Sequence, residues 1–173
     1  GPGTGKTTLS LQILWNHLRR EGARAAFISL ESPPDEVLRR ASRKFFRALP
    51  EPGRERLSCL TRQHIEQAFF GEGVEKERIR DILGTCFDRA MPPADAGAQQ
   101  PVLVIIDSLN VLVDTLTERF SNTTRTLVHT VCKAIQDLVD PTKNLQTLVL
   151  LTAEHHHDSS DFGSLLNESF MCD

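Results

Sequence analysis

Three stretches of this chain, "ARAAFISLE" (23–31), "PVLVIIDSLN" (101–110) and "LQTLVLLTAEH" (145–155), each carry a short run that is apolar almost throughout. Such runs lack the in–out alternation of a half-exposed strand. They fit strands covered on both faces, as in a parallel sheet. The first is expected to end at Glu31 and the second to close on Asp107. Between them the spacing turns helical. "TTLSLQILWNHLRR" puts Leu9, Ile13, Leu14, His17 and Leu18 near one face, with Trp15 as an anchor and Gly22 as a stop signal. "SPPDEVLRRASRKFF" opens with Ser32 as a cap, prolines in the first turn and Asp35 and Glu36 at the positive end of the helix. Val37, Leu38, Ala41 and Phe45 are its expected core face. "EKERIRDILGTCFDRA" presents Ile79, Ile82, Leu83, Cys86, Phe87 and Ala90, and "TRTLVHTVCKAIQDLVD" presents Leu127, Val131, Ile135 and Leu138 before Pro141. Within 57–75, "RLSCLT" fits a strand and "QHIEQAFF" a helix. Strands alternating with helices give an α/β architecture with a mainly parallel sheet sandwiched by helices.

The opening "GPGTGKTT" supplies the chemistry. It matches the second half of the phosphate-binding loop G-x-x-x-x-G-K-[ST], whose first glycine would lie one residue before Gly1. The expectation is therefore one domain over 1–173, truncated at both ends, with the strand before the loop and the C-terminal strands missing. A missing strand at the sheet's centre would leave unpaired edges, poor solubility and weak ATP binding in this exact piece. In such a loop Gly3 and Gly5 let backbone N–H groups converge on phosphate oxygens. Thr4 and Thr8 are expected to bind the nucleotide with them, and the following helix adds its positive end. Lys6 reaches the β- and γ-phosphates, and the Thr7 hydroxyl binds Mg²⁺. Asp107, at the carboxyl end of a buried strand, supplies the carboxylate of the magnesium shell. Glu31 closes a strand on the same sheet edge and is the candidate to accept a proton from water aimed at the γ-phosphate. Lys6 and Glu31 are thus the candidate catalytic residues.

Composition suits a soluble globular protein and points to no charged partner. The chain is 39% hydrophobic and 25% charged, with a net charge of −3. No apolar run approaches the roughly 18 residues that span a bilayer. The four scattered cysteines, Cys59, Cys86, Cys132 and Cys172, read as reduced thiols of a cytoplasmic protein. Arg39, Arg40, Arg43, Lys44, Arg47, Arg54, Arg56 and Arg62 make a basic stretch, read as a solvated face with Asp35–Arg39 and Glu36–Arg40 pairs. "HHHD" at 155–158 completes no tetrahedral ligand set.

The segments "GPGTGKTTLSLQ", "FISLESPPDEVLRRA", "VLVIIDSLNVL", "LLTAE" and "NESFMCD" resemble, in order, the KaiC branch of the RecA-like ATPases. That resemblance implies a RecA-like core, ATP and Mg²⁺ as cofactors, and a ring or filament of identical subunits. It implies paired glutamates after the first helix and its strand. Glu31 matches the first and Ser32 replaces the second. It also implies a T-x-E pattern, matched by Thr152 and Glu154, with Thr152 as a γ-phosphate sensor. The glutamate that many AAA+ ATPases carry after the magnesium aspartate is replaced by Ser108. The leading expectation is a slow, Mg²⁺-dependent ATPase acting as a timing or signalling module. A recombinase or helicase motor shares this core. The stretch after Thr152, however, holds histidines and acids rather than lysines and arginines, so nucleic acid is not favoured. Ser32 in place of a second acid fits a third class, a scaffold that binds ATP without cleaving it.

Overall fold

The computed structural model describes residues 5–44, 55–69, 79–90, 101–120, 124–138 and 147–153. In chain order the elements are α1 (Lys6–Leu18), β1 (Arg24–Ser29), α2 (Pro34–Lys44), β2 (Leu57–Thr61), α3 (Arg62–Phe69), α4 (Ile79–Ala90), β3 (Val102–Asp107), α5 (Leu109–Phe120), α6 (Thr124–Leu138) and β4 (Thr147–Leu151). The four strands form one parallel sheet in the order β2-β1-β3-β4. The expected α/β architecture with a parallel sheet is what the chain adopts.

Strand alternation divides the core into two layers. Ala25, Phe27, Leu103 and Ile105 pack against Leu11, Leu14 and Leu18 of α1 and Val37 of α2. On the other face Ala26, Ile28, Val104 and Ile106 meet α3, α4, α5 and α6 through residues such as Phe69, Leu83, Leu112 and Val131. Every residue of β1 and β3 is buried, as their unbroken apolar runs predict. The same alternation puts Asp107 and Ser29 on the α1 side. They are register partners, and both share the face of Ile105 and Phe27.

Several local readings shift. β1 ends at Ser29, so Glu31 lies two residues beyond it. The buried stripe of α1 is Leu11, Leu14, Trp15 and Leu18, while Leu9 is 59% exposed. At 3.6 residues per turn Leu9 sits about 160° around the helix from Leu11, so the two cannot both face the sheet. Helix α2 begins at Pro34, and the Pro33 carbonyl, not Ser32, accepts the first N–H bonds, from Glu36 and Val37. Helix α5 had no sequence assignment, yet Leu109, Leu112, Val113 and Leu116 are buried at helical spacing. Strand β4 is half-covered rather than buried, with Leu148 64% exposed; β3 is its one neighbour among the described strands. Phe45, Pro141, Glu154 and residues 155–158 lie outside the described residues.

Long-range polar contacts tie the elements together. The Arg56 guanidinium, just before β2, donates to the carbonyls of Leu18 (2.9 Å), Arg20 (2.8 Å) and Ala23 (2.9 Å). It therefore closes the C-terminal end of α1, where carbonyls have no helical partners and the dipole is negative. Arg62 pairs with Glu66 one turn along α3 at 2.6 Å. These two members of the basic stretch are engaged within the fold. Arg80 and Asp137 join α4 to α6 through two hydrogen bonds of 2.8 and 3.0 Å.

Candidate active site

The start of α1 sets the geometry. Gly5 has φ 84° and ψ 10°, a left-handed conformation that a side chain would strain, and a Cβ there would point into open space. Its carbonyl accepts the Leu9 N–H at 2.8 Å, which begins the helix immediately after the loop. The first turn of α1 has no acidic residue and no side-chain cap. Its positive end and N–H groups are thus suited to an anion. Lys6 is the first helical residue and is half-buried; Thr8 is exposed. Gly3 and Thr4 lie outside the described residues.

Thr7, Asp107 and Thr152 converge on one carboxylate. Thr7 Oγ1 donates to Asp107 Oδ2 at 2.8 Å, across 100 residues of sequence. Thr152 Oγ1 donates to the other oxygen, Oδ1. Asp107 and Thr152 are 4% and 6% exposed, so hydroxyl donors replace much of the water that the buried carboxylate gives up. Backbone bonds fix the same strand ends. The Leu30 N–H donates to the Asp107 carbonyl (2.7 Å), the Thr152 N–H to the Ile106 carbonyl (3.0 Å), and the Leu109 N–H to the Thr152 carbonyl (2.8 Å). The site is a hydrogen-bonded seam along the carboxyl edge of the sheet, where open α/β sheets bind ligands.

Glu31 is exposed on the same edge, past the end of β1. The described hydrogen bonds do not join it to Asp107. The turn that carries it is closed by a residue with no sequence signal for function. Ser29, buried and paired in register with Asp107, donates its hydroxyl to the Ser32 carbonyl at 2.5 Å. That bond folds the Leu30–Ser32 turn back onto the strand end.

The donor set suits magnesium. A hydroxyl and a carboxylate oxygen 2.8 Å apart are hard ligands, and Mg²⁺ typically takes one or two protein oxygens plus phosphates and waters. A site of this kind needs no cluster of three acidic, histidine or cysteine side chains, and the described residues contain none.

The model of the KaiC ATPase family matches residues 1–173. The chain belongs to the KaiC ATPase family. This assignment carries ATP binding and ATPase chemistry as family properties. It places the Thr7–Asp107–Thr152 seam in a KaiC-family domain with a parallel α/β core. A search among curated proteins finds no match. Among the described residues no helix is long and apolar enough to cross a membrane.

Proposed function

We propose that this KaiC-family domain binds ATP with Mg²⁺ and hydrolyses it slowly. In this reading it serves as a timing or signalling module in a ring or filament of identical subunits in the cytoplasm. The observation that carries the reading is the double engagement of Asp107 by Thr7 and Thr152. The phosphate-loop helix and two strand ends meet at a single carboxylate.

In this reading the N–H groups at the start of α1 and the Lys6 ammonium hold the phosphate oxygens. Thr7 and Asp107 hold Mg²⁺, which when bound neutralises charge developing on the transferred phosphoryl group. Glu31 accepts the proton of the attacking water, and Ser29 keeps the Glu31 turn in place. Thr152, whose hydroxyl is committed to Asp107, senses the state of the phosphates through that carboxylate.

Equilibrium binding of ATP and release of inorganic phosphate test the assignment together. Lys6→Ala is expected to weaken ATP binding by about 10- to 100-fold, the worth of one charge-assisted bond. Glu31→Gln is expected to bind ATP normally and lose turnover. Wild-type turnover in Glu31→Gln would remove Glu31 as the base. Binding without turnover in the unmodified protein would favour the scaffold function.

A further inference from the structure

Ser108 follows Asp107 directly, at the centre of the carboxyl edge. It is 1% exposed, yet its hydroxyl has no hydrogen-bond partner among the described residues. The other hydroxyls of the site are engaged elsewhere: Ser29 with the Ser32 carbonyl, Thr7 and Thr152 with Asp107. Its own carbonyl accepts the Leu112 N–H at 3.4 Å. The backbone on either side is pinned, by Leu30 to the Asp107 carbonyl and by Leu109 to the Thr152 carbonyl. The backbone that carries Ser108 is therefore held in place at the edge of the sheet. A buried hydroxyl lacking a partner is destabilising, and alanine would avoid the loss. Thr147 Oγ1 is also buried without a partner, but it lies at the amino-terminal end of β4, away from the site.

We infer that Ser108 is a further residue of the nucleotide site, whose hydroxyl gains its partner, an oxygen of the loaded Mg²⁺–nucleotide complex, only on binding. The inference rests on the proposed roles of Thr7 and Asp107. In the ligand-free protein each Asp107 oxygen accepts a hydroxyl, from Thr7 and from Thr152, and the Ser108 hydroxyl bonds to neither. Loading redistributes those bonds and brings in new acceptors, either metal-bound water or phosphate oxygen. A donor held beside Asp107 can then be satisfied. Ser108 is thus a binding residue that favours the loaded state over the empty one.

The test compares wild type, Ser108→Ala and Asp107→Asn by thermal melts without nucleotide and by binding of Mg·ADP and Mg·ATP. The expected result for Ser108→Ala is unchanged or higher stability without nucleotide. Its nucleotide affinity should fall by about 3- to 10-fold, the worth of one neutral hydrogen bond. An equal loss for both nucleotides places the acceptor among the oxygens the two complexes share, and a loss for Mg·ATP alone identifies the γ-phosphate. Ser108→Ala with wild-type affinity, in a protein whose Mg·nucleotide binding Asp107→Asn weakens, overturns the inference and leaves the site intact. Lower stability of ligand-free Ser108→Ala also overturns it, because the hydroxyl would then have a partner in the empty protein. If wild type binds neither nucleotide, the site reading fails before Ser108 is reached.

Discussion

Thr152→Val isolates one bond of the seam. Valine keeps the shape of threonine and replaces only the hydroxyl. The backbone bonds of Thr152, its N–H to Ile106 and its carbonyl from Leu109, do not depend on the side chain. What is lost is the donor to Asp107 Oδ1, at a carboxylate 4% exposed. A hydrogen bond to a charged group is worth about 1.5–3 kcal/mol, and burial leaves little water to replace it. For a domain of this size that corresponds to a fall in Tm of about 3–12 °C. Thr152→Ser is the control. It keeps the donor and removes a buried methyl, worth about 0.8 kcal/mol. Urea denaturation of the ligand-free protein should therefore rank wild type above Thr152→Ser, and Thr152→Ser above Thr152→Val. The reverse order for the two variants would mean that packing at the end of β4, and not the hydroxyl bond, governs the site.

Three other outcomes follow from named contacts. Arg56→Ala should cost about 1–3 kcal/mol in chemical denaturation, because three carbonyls at the end of α1 lose one guanidinium. Arg56→Lys should recover less than half of that, since an ammonium cannot fork to all three. Ser29→Ala should lower kcat for ATP a few-fold at constant KM if Ser29 acts by holding the Glu31 turn, and Ser29→Thr should restore it; a change in KM alone would refute that role. Burial raises the pKa of the Cys86 thiol above its ordinary value, with Arg89 opposing the shift. Its thiolate fraction at pH 8 is reduced accordingly. Alkylation followed by mass spectrometry should label exposed Cys59 before Cys86 and Cys132, and early labelling of Cys86 would contradict its placement between helices.

The parts of the fold legible in the sequence were those written in local patterns. β1 and β3 are continuous apolar runs because both faces are covered, and the glycine–lysine–threonine start of α1 is a local signature. The face of α1 was read less well. Leucines at 9, 11, 14 and 18 offer two overlapping stripes, and only docking on Phe27 and Ile105 chooses between them. Helix α5 was hidden because Leu109–Phe120 follows β3 after a single residue and its apolar character continues that of the strand. The Arg56 clamp spans more than thirty residues, and one arginine in a basic stretch looks like any other. In the site, Asp107 was legible from its place at a strand end, but its bonds to Thr7 and Thr152 depend on sheet order. Ser29 and Ser108 carried no signal, because the function of a serine here depends on which hydroxyl is buried and what it faces.

Mg²⁺ dependence of ATP binding in wild type and Asp107→Asn is the most direct test of a shared triphosphate site. The substitution keeps the size of the side chain and removes its charge. The prediction is that Mg²⁺ tightens ATP binding to wild type and has no such effect on Asp107→Asn. Equal affinity and equal Mg²⁺ response in the two proteins would contradict the account.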